Sequence, residues 1–105
     1  MANKKPSGAE EVVAALCKDY PRRLEAIRNE SESRRVLMEY RYYNGRILEG
    51  VGEIVGAALS EIFIYDIGNR RGYTSSEVPV MSESTYKRYK AAAVMNIARK
   101  LHYVT

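Results

Sequence analysis

The sequence has few residues of the kinds that carry most catalytic and redox chemistry. Its 105 residues include one cysteine, Cys17, one histidine, His102, and no tryptophan. Two such side chains are too few for a Cys/His zinc site. A thiol–imidazole or Ser–His–Asp site would depend on His102, three residues before the end of the sequence, where we expect a base to be poorly held. A single cysteine forms no intramolecular disulfide, which favours a cytoplasmic protein.

The sequence also lacks the patterns of membrane and nucleotide-binding proteins. No run approaches the roughly 20 apolar residues of a membrane-spanning helix. Glu10 and Glu11 interrupt the first apolar stretch, so no signal peptide is expected. There is no GxxxxGK[ST] or GxGxxG loop, and the glycines at 50, 52 and 56 do not follow a strand-like run. We therefore expect no enzymatic activity, no cofactor, no metal, no small-molecule substrate and no membrane partner.

Basic residues, in contrast, are concentrated in one part of the chain. The formal net charge is +4 and the pI is about 9.3. Residues 1–69 contain ten basic and eleven acidic side chains, whereas residues 70–105 contain seven basic and two acidic ones. An excess of positive charge in one segment is typical of a nucleic-acid-binding element, although a solvated helix face has the same composition.

The apolar pattern predicts one small all-α domain of four to five helices with a C-terminal helix-turn-helix. The apolar fraction is 46% and the charged fraction 29%, as in ordinary globular domains. We expect a disordered start at 1–6, a helical scaffold or dimerisation part at 7–58, and a DNA-binding part at 59–105. Pro21 is expected to break or restart the first helix, because proline fits best in a first helical turn.

A helical stripe in the middle of the chain is the strongest periodic signal. Apolar residues and one asparagine recur there at steps of three and four. The stripe favours an intrachain core, with a dimer interface as the alternative. Since helix glycines cost about 1 kcal/mol each relative to alanine, we predict a helix from about Ser33 to Glu49 and a bend or close crossing near Gly50–Gly52. The stripe comprises Leu37, Tyr40, Asn44, Ile47, Val51, Ile54 and Ala58.

The last third reads as two helices joined by a loop. The first is expected to carry Arg70 and Arg71 in its last turn and to end at a left-handed Gly72. After the polar segment 74–81, Ser82 is a good N-cap for a helix reaching about Leu101. One face of that helix is expected to be buried, with Lys90 at its margin extending its ammonium outward. The buried face would comprise Tyr86, Ala93, Val94, Ile97 and Leu101.

This second helix has the character of a DNA-recognition helix. The major groove admits one helix, whose first residues reach base edges while positive charge holds phosphates. Base-edge and phosphate contacts are predicted for Ser84, Thr85, Lys87 and Arg88. Phosphate attraction is predicted for Arg70, Arg71, Lys90 and Arg99.

Three runs in this region also suggest a family: IYDIGNRRGY (64–73), SESTYKRYK (82–90) and NIARKL (96–101). Together they resemble phage-encoded transcriptional regulators of the ArpU/RinA type, whose C-terminal helix-turn-helix is similar to region 4 of sigma factors. The resemblance covers about the last 45 residues. It implies double-stranded DNA as a partner, RNA polymerase as a further candidate partner, and activation of phage late genes in a bacterial cytoplasm. The sequence departs from that pattern at 74–81, which lengthens the turn to about twice the usual size. Two alternatives remain for this segment, a hairpin-like wing or a loop.

Two functions from different classes follow from these patterns. The first is a sequence-specific DNA-binding transcriptional regulator acting as a homodimer, in which the weak affinities for two DNA half-sites combine. The alternative is a helical interaction or assembly protein, such as a phage DNA-packaging subunit or a protein that binds a host factor, whose basic helix docks on an acidic protein surface.

Overall fold

Five α-helices make up most of the chain in the computed structural model, which describes residues 8–103. The all-α prediction is confirmed, and no strand occurs between residues 8 and 103. The expected disorder at 1–6 lies outside these residues. The elements are α1 (Gly8–Lys18), α2 (Tyr20–Asn29), α3 (Arg34–Val55), α4 (Ala57–Gly68), a 3₁₀ turn (Tyr73–Ser75) and α5 (Glu83–Lys100).

Proline restarts the helix between α1 and α2, as the sequence indicates. Pro21 lies in the first turn of α2, where its missing N–H removes no helical hydrogen bond. α2 then ends at Glu30, which adopts a left-handed conformation with φ 48°. The two helices are therefore short, with 11 and 10 residues.

The third helix is longer than the glycines suggest. Ser33 caps it by accepting a hydrogen bond from the N–H of Val36, and the helix continues to Val55. The break falls at Gly56, whose φ of 86° favours glycine, so the predicted end at Glu49 is wrong. Of the two alternatives at 50–52, the structure has the close crossing: a Cβ on Gly50 would lie 2.9 Å from Ile97 Cα. Tertiary packing therefore explains a glycine that local propensity treats as a helix breaker.

The core lies where α3 meets the other helices. Leu37, Ile47 and Val51 from the predicted stripe are buried, while Ala58 is exposed. The stripe is thus mainly intrachain core, the interpretation that the sequence favours. Buried side chains from α1, α4 and α5, and the residue that follows α5, complete this core: Val13, Cys17, Phe63, Ile64, Ile67, Tyr86, Ala93, Ile97 and Leu101.

The last helix has α3 as its main packing partner. α5 packs chiefly on α3 and secondarily on α1, and it makes only a few contacts with α4. α4 packs on α1 and α3; a Cβ on Gly68 would lie 2.6 Å from Lys18 Cα, so this contact requires glycine. Between residues 8 and 103, no helix has the length and apolar character needed to cross a bilayer.

The end of α4 differs from the prediction. The helix stops at Gly68, so Arg70 and Arg71 lie in the following loop and not in its last turn. Arg70 itself adopts the left-handed conformation, with φ 55°, while Gly72 is extended with φ −101°. The left-handed terminus predicted at Gly72 is therefore wrong.

Candidate nucleic-acid interface

The N-terminus of α5 is built by a serine cap. The Ser82 hydroxyl accepts a hydrogen bond of 3.2 Å from the N–H of Thr85, and the helix follows from Glu83. This confirms the predicted start of the helix, and its end at Lys100 lies one residue from the expected position. Tyr86 and Ile97 are buried on the inner side, as the apolar spacing indicates.

The outward side of α5 carries two arginines on a slim helical surface. Arg88 and Arg99 are exposed, and neither makes an ion pair with any residue from 8 to 103. Glu83 is the only acidic residue in α5 and lies in its first turn. Ser84, Ala91 and Met95 complete this exposed side, which we call the outer face of α5: Ser84, Arg88, Ala91, Met95 and Arg99.

Three predicted contact residues near the start of α5 already have partners within the chain. Ser84 Oγ lies 3.3 Å from Ser82 Oγ. The Thr85 hydroxyl accepts a hydrogen bond of 2.9 Å from Ser82 Oγ, so it belongs to the cap. Lys87 Nζ lies 2.9 Å from a carboxylate oxygen of Glu83, one helical turn away. Both side chains of this ion pair are exposed, and such pairs contribute only about 0.3–0.5 kcal/mol. Lys87 can therefore exchange Glu83 for a phosphate at little cost.

The other predicted cations form a second group beside α5. The Lys90 ammonium donates a hydrogen bond to the carbonyl of Arg71, so it turns toward the loop and not outward as expected. Burial lowers the pKa of Lys90; the negative charge of Asp66 opposes this shift and the positive charge of Arg70 adds to it. Arg71 lies over the ring of Tyr65 at 4.8 Å and donates to the carbonyl of Ser75. Of the three, Arg70 is the most exposed, and Lys90 and Arg71 mainly hold the loop against the helix.

Asp66 organises the loop that precedes α5, a role that the sequence analysis does not identify. Its side chain is only 1% exposed, and one carboxylate oxygen accepts hydrogen bonds from Ser76 at 2.5 Å and Tyr86 at 2.8 Å. Burial together with this carboxylate raises the pKa of Tyr86 to about 12. The available sequence signal was an acidic residue inside an otherwise apolar helical pattern, which favours a buried polar partner.

The segment 74–81 is a packed loop and forms no hairpin-like wing. Tyr73 donates a hydrogen bond of 2.6 Å to the carbonyl of Met81, which ties the two ends of the segment together. Val78 and Met81 pack against the core. The loop therefore fixes the start of α5 relative to α4 without a strand.

The helix-turn-helix arrangement itself is not confirmed. In that motif two consecutive helices pack on each other across a short turn. Here residues 69–82 separate α4 from α5, and α3 is the main support of α5. The structure therefore supports a basic surface helix on an α-helical scaffold, a coarser description than the one predicted.

Within residues 8–103, no three His, Cys, Asp or Glu side chains are placed to hold a metal ion. Burial raises the pKa of the Cys17 thiol to about 12, which makes it a poor nucleophile.

No family model, no curated protein and no solved structure matches this chain. The resemblance to ArpU/RinA regulators thus stays a prediction that rests on the three runs in the last third of the sequence.

Proposed function

We propose that this protein binds double-stranded DNA with the outer face of α5. The observation that carries the proposal is the pair of exposed arginines, Arg88 and Arg99, on a helix whose only carboxylate lies in its first turn. Arg70 adds positive charge from the loop beside Lys90. This is the part of the chain that holds its excess of positive charge.

The shape of the outer face suits a groove. Ser84 and Ala91 have small side chains, so the helix is narrow at the positions that would enter first. A major groove about 12 Å wide accepts one helix, with arginines reaching guanine edges or phosphates. In this arrangement Arg88 contacts base edges or phosphates near the helix start, while Arg99 and Lys87 contact the backbone on either side.

The finer proposal is that the protein is a phage-encoded transcriptional regulator that recognises a specific DNA sequence. It is supported by the resemblance of residues 64–101 to ArpU/RinA regulators and by the polar start of α5. RNA polymerase is then a further candidate partner, in a bacterial cytoplasm.

A charge reversal on the outer face tests DNA binding. Because Arg88→Glu replaces attraction to the DNA by repulsion, we expect duplex affinity to fall by at least about tenfold in a fluorescence anisotropy titration. The matched control is Arg28→Glu, the same charge change on the exposed surface of α2, a helix that packs on α3 and α1. Circular dichroism should show unchanged helix content in both variants. Equal affinities of the two variants would exclude α5 as the DNA-binding element.

The second candidate is an interaction or assembly protein, and one structural observation favours it. α5 packs mainly on α3 and touches α4 through Tyr86, which stacks on Phe63 and donates to Asp66, so presentation of the outer face by a helix-turn-helix is not confirmed. Met95 on that face is 39% exposed. An apolar methionine between two arginines also fits an acidic protein surface. If the protein shows no affinity at low salt for duplex DNA, either of random sequence or of promoter length, this result would support the second candidate.

A further inference from the structure

The long helix α3 has a second apolar side that the fold leaves uncovered. Met38 is 61% exposed, Tyr42 47% and Leu48 44%, which are large values for apolar side chains at the middle of a 22-residue helix. Met38 and Tyr42 lie on the other side of the helix from Asn44 and Ile47, which point into the core, whereas Leu48 lies one turn after Asn44, beside Ala57 and Ala58 of α4. We call this side the outer face of α3: Met38, Tyr42, Gly45 and Glu49. Gly52 lies at its edge, where a Cβ would be 3.6 Å from Ser60 Oγ of α4.

Gly45 lies at the centre of this face, and the fold gives no reason for it to be glycine. A Cβ built on Gly45 would meet no atom within 4 Å, in contrast to Gly50, which is pressed against Ile97. A glycine inside a helix costs about 1 kcal/mol relative to alanine. That cost is offset if another helix approaches closely at this point, because glycine lets two backbones come together.

The first half of α3 is net positive, with Arg34, Arg35 and Arg41 against Glu39, and the second half is net negative, with Glu49 and Glu53 against Arg46. Arg34 and Arg35 occupy its first turn, and Glu49 and Glu53 lie near its end. Within the chain, Glu49 pairs with Arg46 at 2.8 Å and with Lys100 at 3.9 Å, and Glu53 pairs with Lys100 at 2.6 Å, yet both carboxylates stay about half exposed. Two copies of α3 that run in opposite directions therefore bring the basic start of each next to the acidic end of the other.

We propose that a second copy of this chain covers the outer face of α3, with the two α3 helices antiparallel and crossing at Gly45. Met38 and Gly52 are each seven residues from Gly45, so Met38 lies over the partner's Gly52. On one flank, Arg35 comes near the partner's Glu53. The interface goes beyond DNA binding and does not depend on it.

The parallel arrangement is disfavoured by the same charges. It would put Arg34 and Arg35 of both copies together at one end, and Glu49 and Glu53 of both copies at the other. Like charges at a helix interface are destabilising. The core stripe, which carries the alternative dimer interface in the sequence analysis, is already occupied by intrachain packing.

Disulfide cross-linking of the full chain tests both the interface and its direction. A Gly45→Cys variant is expected to form a covalent dimer on mild oxidation, since the two thiols meet at the crossing. In Met38→Cys the two thiols are about 21 Å apart at 1.5 Å per residue, beyond disulfide reach, and should not cross-link. The double variant Met38→Cys/Gly52→Cys should cross-link again. The native Cys17 is buried and does not interfere.

Sedimentation of the unmodified chain completes the test, with a dimer expected at micromolar concentration. Met95→Gln, a change at an exposed apolar residue of α5, serves as the matched surface control and should leave the dimer unchanged. A Met38→Cys variant that cross-links as readily as Gly45→Cys would show a parallel pair and overturn the proposal. The proposal would also be overturned if the unmodified chain were still monomeric at a concentration 100-fold above micromolar and the Gly45→Cys variant formed no cross-link. Circular dichroism of each variant separates these results from failure to fold.

Discussion

A buried arginine joins α2 to α3. Arg23 is 3% exposed, and its guanidinium donates to Asn44 Oδ1 at 2.8 Å and to the carbonyl of Leu16. The Asn44 amide in turn donates to the carbonyl of Tyr20 at 3.2 Å. Burial of the guanidinium lowers the pKa of Arg23, and Asp19 at 3.5 Å opposes this effect. The asparagine in the apolar stripe is therefore a partner for a buried charge.

Removal of this partner should be costly. Asn44→Ala leaves the Nε–H of Arg23 and the carbonyl of Tyr20 without their buried hydrogen-bond partner. We expect the free energy of unfolding in urea to fall by about 1–3 kcal/mol. Asn29→Ala, at the exposed end of α2, is the control and should change it by less than about 0.5 kcal/mol. Equal effects of the two substitutions would show that the buried network contributes nothing to stability.

At the scale of elements, two glycines of α3 have opposite environments. Gly50 is in close contact with Ile97 of α5, whereas Gly45 faces open space. The same substitution therefore should have opposite effects at the two positions, five residues apart in one helix.

We expect Gly50→Ala to destabilise the fold by about 1–3 kcal/mol, because the added methyl group forces α5 away from α3. Gly45→Ala should stabilise it by up to about 1 kcal/mol through helix propensity. Both are measured by thermal unfolding at submicromolar concentration, where a second copy does not cover α3. If Gly45→Ala destabilised the fold as much as Gly50→Ala, this would contradict a close crossing of α3 and α5 at Gly50 alone.

The elements show how far sequence reasoning reaches. The start of α5 was predictable because Ser82 and the spacing of Tyr86, Ala93 and Ile97 act locally. The end of α3 was not predictable from the sequence. The helix-propensity cost of Gly50 is a local property, whereas the contact that requires glycine there is made with Ile97, which is distant in the sequence. Likewise, apolar spacing identifies which face of α5 is buried but not that α3 is its main packing partner. The role of Asp66 depends on Ser76 and Tyr86, which only the folded loop brings together.

At the scale of the whole molecule, the two proposed surfaces are compatible. Gly45 and Gly50 lie about 140° apart around α3 at 100° per residue. The face proposed for the second copy is therefore on a different side of the helix from the face that supports α5. A dimer through α3 leaves both outer faces of α5 uncovered, so two copies can present two basic helices to one DNA molecule.

The charge distribution belongs to the same scale. A nearly neutral scaffold, residues 1–69, supports a segment in which seven basic residues face two acidic ones. Phosphate binding by three or four of these cations would dominate duplex affinity and make it depend on salt.

The salt dependence of duplex binding by the unmodified chain tests DNA recognition most directly. We expect the logarithm of the association constant for a fluorescent duplex to fall linearly with the logarithm of salt concentration, with a slope of about −3, since each neutralised phosphate releases about 0.9 counterions. A protein with no measurable duplex affinity at low salt, or with an affinity that salt leaves unchanged, would contradict DNA binding through α5.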